Sequence, residues 1–253
     1  MLIDIHCHAN LYLTIDEIIK EANKVGVEKI IAVSMSAISI DRILDISNKF
    51  NALYPALGIH PEEVGMNKEI ENQLDSVVQK IKENKHKICA IGEIGLDHHF
   101  VKEQDLYPLQ RKIFEKMLSL AQELELPVNL HTKGAEKIVF EMLPSYNIPH
   151  INIHWYSGPE TFLKRGIDRG YFFSITPAIS YSPAVKKTVL AVDKEYLLLE
   201  SDGPVKYAGK LGTPAMIRDV LNDISKFKNI PSIELENQIY ENTQKIFPKI
   251  FNT

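Results

Sequence analysis

The chain has little cysteine: two residues in 253, Cys7 and Cys89, each inside an apolar, strand-like run. Two such thiols make no disulfide framework, and buried free thiols in a reducing compartment are the expectation. No run approaches the ~18 apolar residues that a membrane span needs. The opening stretch, MLIDIHCHAN, lacks the basic segment and long apolar core of a secretory signal. A cytoplasmic location is therefore expected. Positive charge is not in excess either, with 29 Lys and Arg against 33 Asp and Glu, a net charge of −4. That removes the broad basic face of a nonspecific nucleic-acid binder and leaves room only for a local patch. Low-complexity segments, long linkers and a glycine-rich phosphate loop are also missing. What remains, 45% hydrophobic and 25% charged residues, is the composition of a soluble globular protein with enough apolar mass for a sizeable core.

Short β-rich runs alternate with longer helical patterns. The strand-like runs are LIDIHCH, KIIAVSM, LYPALGIHP, KICAIGEIGLD, LPVNLHT, HINIHWYS, YFFSITP and YLLLESDGP. An amphipathic segment follows each of them. The first, TIDEIIKEANKVG, reads as a helix with Thr14 as N-cap, Glu17 completing a capping box and Gly26 as the stop. Eight strand–helix units in about 250 residues match the size of a closed (β/α)8 TIM barrel, class α/β. A doubly wound open sheet is the rival. Residues 1–253 are expected to form a single domain.

Polar residues interrupt these runs at their carboxyl ends: His6 and His8, His60, Glu93 and Asp97, His131, His154, and Asp202. In a barrel those ends converge on the one face that carries active sites. Taken singly, a strand-end histidine is more often a hydrogen-bonded polar residue than a ligand. Five of the nine histidines at such ends, meeting three carboxylates, point instead to a metal site. Strand alternation puts Asp4, His6 and His8 on the inner face and Ile3, Ile5 and Cys7 towards the helices. Cys7 is then packing, not a ligand. The same parity places Asn129 below His131, Asn152 below His154, Glu200 below Asp202 and Asp4 below His6. These four are expected to orient the groups above them, as partners of metal-bound side chains do.

In order along nearly the whole chain, these motifs resemble those of the TatD family of metal-dependent deoxyribonucleases. DIHCH is similar to the Asp-x-His-x-His opening, GIHP to Gly-x-His-Pro, AIGEIGLD to the acidic element and LPVNLH to the next histidine motif. IHWYSG is similar to His-x-Phe-Ser-Gly, with Tyr156 for Phe. LLLESDGP resembles Leu-x-Glu-Thr-Asp-x-Pro, with Ser201 for Thr. LQRKIFEKMLSLAQELELPV resembles the helix before strand five, and NTQKIF the closing helix. Lys133 stands where many members carry an arginine two residues after the histidine, which loses the bidentate fork that suits phosphate.

The resemblance implies two divalent ions, Zn²⁺, Mn²⁺ or Mg²⁺. His6, His8 and Asp202 would hold one, His131 and His154 the other, with Glu93 bridging and Asp202 orienting the attacking water. DNA would be the substrate, digested from an end, with His60 as a phosphate contact. Lys133 and either Lys206 or Lys210 are further candidates, for which a solvated surface role is an equal alternative. No membrane and no obligate protein partner are implied, and a monomer or weak homo-oligomer is expected. Two alternatives keep the same fold. One hydrolyses a small amide, ester or lactone at the same site, and the other is a scaffold without catalysis.

Overall fold

Eight parallel strands follow one another in sequence order around the molecule, each hydrogen-bonded to the next. They are β1 (Leu2–Cys7), β2 (Val27–Val33), β3 (Leu53–Leu57), β4 (Ala90–Gly95), β5 (Val128–His131), β6 (Ile151–Ile153), β7 (Phe172–Ile175) and β8 (Leu197–Leu199). An order that never reverses excludes the doubly wound sheet, whose strand order switches direction at its centre. This computed structural model describes residues 1–252, so Thr253, the last residue of the expected domain, lies outside them. The helices between the strands are α1 (Ile15–Lys24), α2 (Ala37–Lys49), the short α3 (Glu63–Met66), α4 (Ile70–Glu83), α5 (Tyr107–Leu124), α6 (Glu136–Met142), α7 (Glu160–Asp168) and α8 (Pro183–Ala191). Two more close the chain, α9 (Ile217–Lys228) and α10 (Ser232–Ile246). The architecture is a nearly closed (β/α)8 TIM barrel. Its seam is drawn together beyond β8, where Asp202 N donates to His6 O at 2.9 Å and His8 N to Gly203 O at 2.8 Å.

Two apolar layers hold the barrel. On its outer wall Leu2, Cys7, Ile30, Ala32, Val128, Leu130, Ile153 and Leu199 pack against the helices. Inside, Ile3, Ile5, Ile31, Val33, Ala56, Phe172 and Leu198 form a second cluster with Ile246, Phe247 and Ile250 from the chain's end. Above this cluster sits a polar floor. Asn152 Nδ2 donates to Asn129 Oδ1 (3.0 Å) and to Ser174 Oγ (2.9 Å), and Asn129 Nδ2 donates to Ile5 O (3.1 Å). These bonds offset part of the cost of taking the amides from water, although Asn152 Oδ1 has no hydrogen-bond partner among the described residues.

Local expectations met two corrections. Thr14 stands at the N-cap of α1, but its ψ of 71° is not that of a capping residue and its side chain makes no cap bond, so the box with Glu17 is absent. The capping box forms instead at α2, where Ser36 and Ser39 exchange bonds. Ile3 and Ile5, expected towards the helices, instead join the inner cluster, and beyond β8 the chain forms a small antiparallel hairpin of β9 (Lys206–Tyr207) and β10 (Lys210–Leu211).

Candidate metal centre

Two bulges prepare the centre. Along β1, Asp4 pairs with Ile30 but Cys7 pairs with Ala32, so β1 carries one extra residue. Ile5 packs into the inner cluster, against the expectation from alternation, and His6 next to it also faces inward, while Cys7 takes the outer wall. In β4, Ile91 pairs with Val128 and Ile94 with Leu130, again one residue extra, and Glu93 lies in that bulge. A bulge leaves a residue out of the ladder and re-aims its side chain. Here it turns His6 and Glu93 toward each other, with His6 Nε2 3.2 Å from Glu93 Oε2.

The bulge in β1 also corrects the parity argument for Asp4. Asp4 points out of the barrel interior and accepts from Ser201 N (2.9 Å), Ser201 Oγ (2.5 Å) and His6 N (3.2 Å). It ties β1 to the end of β8 and touches no imidazole ring. Buried there, its carboxyl is pushed up to about 7 despite the bonds from Ser201.

The remaining groups gather tightly. His8 Nε2 lies 3.2 Å from Asp202 Oδ1, and His6 Nε2 lies 3.5 Å from the same oxygen. His154 stacks on His6, ring centroids 3.9 Å apart. His131 Nδ1 is 3.0 Å from Glu93 Oε1, and His60 Nε2 is 3.2 Å from His131 Nδ1. Three overlapping donor sets result: His6, His8 and Glu93; His6, His154 and Asp202; His60, Glu93 and His131. Thus His60 joins the donors rather than standing apart from them. His131 and His154, with centroids 6.3 Å apart, fall in different sets.

The polar atoms here fit a cation. Nδ1 of His6 and Nδ1 of His8 are buried with no hydrogen-bond partner among the described residues, and His6 Nε2 faces carboxylate oxygens of Glu93 at 3.2 Å and Asp202 at 3.5 Å. Buried polar nitrogens left unpaired are costly and rare, and imidazoles facing two carboxylates are a donor set for divalent transition ions.

Without an ion the charges satisfy one another by proton uptake. Burial works against the imidazolium of His6, but Glu93 and Asp202 outweigh it and raise the ring to about 10. His131 rises to about 9, burial being overcome by Asp97 and Glu93. Burial and the neighbouring His6 charge push His154 down to about 3. Burial would raise Glu93, but His60, His6 and His131 hold it well below the usual carboxylate range.

Beneath the centre, Glu200 Oε2 lies 2.9 Å from His154 Nδ1 while Oε1 accepts from Trp155 N at 2.9 Å. Burial pushes Glu200 up to about 7. Asn129 and Asn152 lie in the floor and bond to each other, not to a histidine. The partner of His131 is Asp97, whose Oδ2 is 2.7 Å from His131 Nε2. The sequence marks Asp97 as a strand-end acid without a role, though its spacing of four from Glu93 puts both on one strand face. Gln110 lies inside the helical motif, where the sequence pattern gives no sign of its role. Almost fully buried, it accepts from Asp97 N (3.2 Å) and donates to Asp97 O (3.0 Å) and Pro61 O (3.2 Å), fastening the loops after β3 and β4 to α5.

Asp202 and Trp155 both have positive φ, 46° and 38°. Such backbone costs about 1–2 kcal/mol for an L-residue and is held here by the bonds from Asp202 N and Trp155 N. The centre opens into a cavity of about 290 Å³, walled by Met35, Phe100, Trp155 and Val205 and edged by Glu62, Lys133 and Glu136. Lys133 Nζ donates to Ser157 Oγ at 2.6 Å. Lys206 and Lys210 lie on the exposed β9–β10 hairpin and do not line the cavity.

The model of the TatD related DNase family matches residues 3–248. The chain belongs to the TatD family. A metal-dependent hydrolase of Methanocaldococcus jannaschii is 34% identical to it over 98% of this chain and 97% of that one. The human deoxyribonuclease TATDN3 is 28% identical over 98% and 95%. Among solved structures, the TatD homologue YjjV of Escherichia coli superposes with a TM-score of 0.89 at 25% identity, covering 98% of both chains. Membership makes this TatD protein a metal-dependent hydrolase. Among the described residues no helix is long and apolar enough to cross a membrane.

Proposed function

We propose that this TatD protein, acting as one unit over residues 1–253, hydrolyses phosphodiester bonds of DNA with two divalent ions. The observation that carries the reading is the buried imidazoles of His6 and His8 facing Glu93 and Asp202 at the mouth of the barrel. His6, His8 and Asp202 would hold one ion, His131 and His154 the other, with Glu93 between them. His60 lies close enough to Glu93 and His131 to assist as a donor or to meet a phosphate oxygen. Zn²⁺ or Mn²⁺ suits so many imidazoles better than Mg²⁺. Bound ions supply the positive charge that acidifies a water and neutralises phosphoryl oxygens. Asp202 aims a carboxylate into the cavity and is the group that orients that water and takes its proton. Glu200 lies beside the ring of His154, Lys133 offers a lysine of the cavity to a phosphate, and Phe100 and Trp155 offer apolar faces to a base.

Cavity size supports action on a strand end. About 290 Å³ admits a nucleotide rather than a length of duplex, which fits an exonuclease. The same size, with Glu62 and Glu136 on the rim and one lysine, also favours a second reading, a small ester or amide substrate. Metal-loaded protein is to be assayed on end-labelled DNA and on a panel of small esters, lactones and amides. Release of nucleotides, lowered about 10²–10⁴-fold in kcat by Asp202→Ala, is expected. Turnover of small substrates without nucleotide release would replace the nuclease reading by the second. An intact fold that takes up no metal would return the chain to a scaffold.

A further inference from the structure

One carboxylate serves two masters after β4. Asp97 is fully buried. Its Oδ2 lies 2.7 Å from His131 Nε2, the ring nitrogen opposite the one that faces Glu93. Its Oδ1 accepts from His99 N (2.8 Å) and Phe100 N (2.6 Å), and more weakly from Val101 N (3.4 Å). Those amides belong to the loop that sets Phe100 against the cavity, where the residue is 62% exposed. The two oxygens are rigidly joined through a planar group. A rotation that improves one contact moves the other.

The frame around Asp97 leaves it little freedom. Gln110 pins its backbone on both sides, accepting from its N–H and donating to its carbonyl. The loops after β4 and β5 are stitched together by Leu96 N to His131 O (3.2 Å) and His98 N to Lys133 O (2.9 Å). What can still adjust is the carboxylate itself and the loop it caps.

We infer that Asp97 is a positioning residue that couples occupancy of the His131 donor position to the order of the Phe100 loop, the substrate-side wall of the cavity. It acts in two ways. It accepts from Nε2–H of His131, which leaves Nδ1 as the lone pair turned to Glu93 and the cavity. At the same time it caps the loop, so an ion that fixes His131 also fixes the carboxylate on which the loop hangs. Coupling of this kind is reciprocal, and the loop in its closed arrangement favours the ion by the same factor. The inference rests on the metal-centre reading above and adds to it a link to the substrate side.

Asp97→Asn separates the two functions. An asparagine Oδ1 still accepts from the His99 and Phe100 amides, so the loop keeps its cap, but the Nδ2 facing His131 cannot accept its proton. The probe is Zn²⁺ alone, titrated against a chromophoric chelator, with amide hydrogen exchange of residues 98–101 followed by mass spectrometry with and without saturating Zn²⁺. In the unaltered protein Zn²⁺ is expected to slow exchange of this segment by about 10-fold. In Asp97→Asn the affinity for Zn²⁺ falls about 10–100-fold, and at saturation the segment no longer responds. His131→Asn, which removes the other end of the contact, must abolish the response too and serves if Asp97→Asn does not fold. An equal slowing in either variant, or Zn²⁺ binding to the unaltered protein with no slowing at residues 98–101, overturns the coupling and leaves the metal centre standing. No Zn²⁺ binding by the unaltered protein overturns both.

Discussion

His6 and His131 compete with cations for the same carboxylates. Glu93, with Asp202 beside His6 and Asp97 beside His131, outweighs the cost of burial and favours the imidazolium form of both rings. A divalent ion needs the neutral imidazole, so loading must expel those protons. The sign follows from the raised values, about 10 and about 9. Apparent affinity climbs as pH rises toward them and levels off above. About two protons are expected to leave per protein loaded with Zn²⁺ near pH 7.5. Titration calorimetry in buffers of different ionisation enthalpy measures that number, and a value near zero would contradict the charge pattern. At this scale the sequence was a good guide to which residues meet. Residue type and strand-end position named His6, His8, His60, Glu93, His131, His154 and Asp202, and the structure brings all seven together. Partners were harder to read. Asp4 was assigned beneath His6 and instead bonds Ser201, and the group beside His131 is Asp97 rather than Asn129.

The bulges explain that difference between elements and residues. Alternation is a property of a regular ladder, and one inserted residue reverses it. In β1 the insertion lets Ile5 and His6 share the interior, and in β4 it brings Glu93 to the centre. Periodicity in LIDIHCH and AIGEIG cannot reveal where a ladder slips, because the slip depends on the neighbouring strand. Gly95 shows how close the packing is beside the second bulge. Its φ is 153°, and a Cβ added there would overlap the carbonyl oxygen of His131. Gly95→Ala is therefore expected to cost about 3 kcal/mol and to disturb the β4–β5 pairing that carries His131. Urea unfolding reads the stability loss. A variant as stable as the parent would mean that the β4–β5 contact is looser than this geometry. Helix caps follow the same logic on a smaller scale. Thr14 and Glu17 have the spacing of a box, but the chain leaving β1 delivers Thr14 at the wrong backbone angles, whereas Ser36 arrives extended.

Across the whole molecule the barrel is stacked in layers: chain terminus, apolar cluster, amide floor, donor groups and open cavity. Phe247 and Ile250 pack on the inner cluster from below, and Lys29 ties that end in place by donating to Ile250 O at 2.9 Å. Phe247→Ala should destabilise the fold by about 3–5 kcal/mol, seen as a lower thermal midpoint. Zn²⁺ affinity at a temperature where the variant is folded should be unchanged, since the amide floor lies between. A fall in affinity equal to that of a donor mutant would show that the layers are not separable.

Residue chemistry and spacing pointed to eight strand–helix units and to the polar groups at their strand ends, and the resemblance of the ordered motifs pointed to the family. Strand count, helix length and the run of strand-end donors are local properties that survive any detail of packing. Only the tertiary structure decided which oxygen meets which nitrogen, where β1 and β4 slip, and that one acid, Asp97, joins His131 to the Phe100 loop. Those depend on contacts between strands distant in the chain, at distances of a few ångströms that no local pattern encodes.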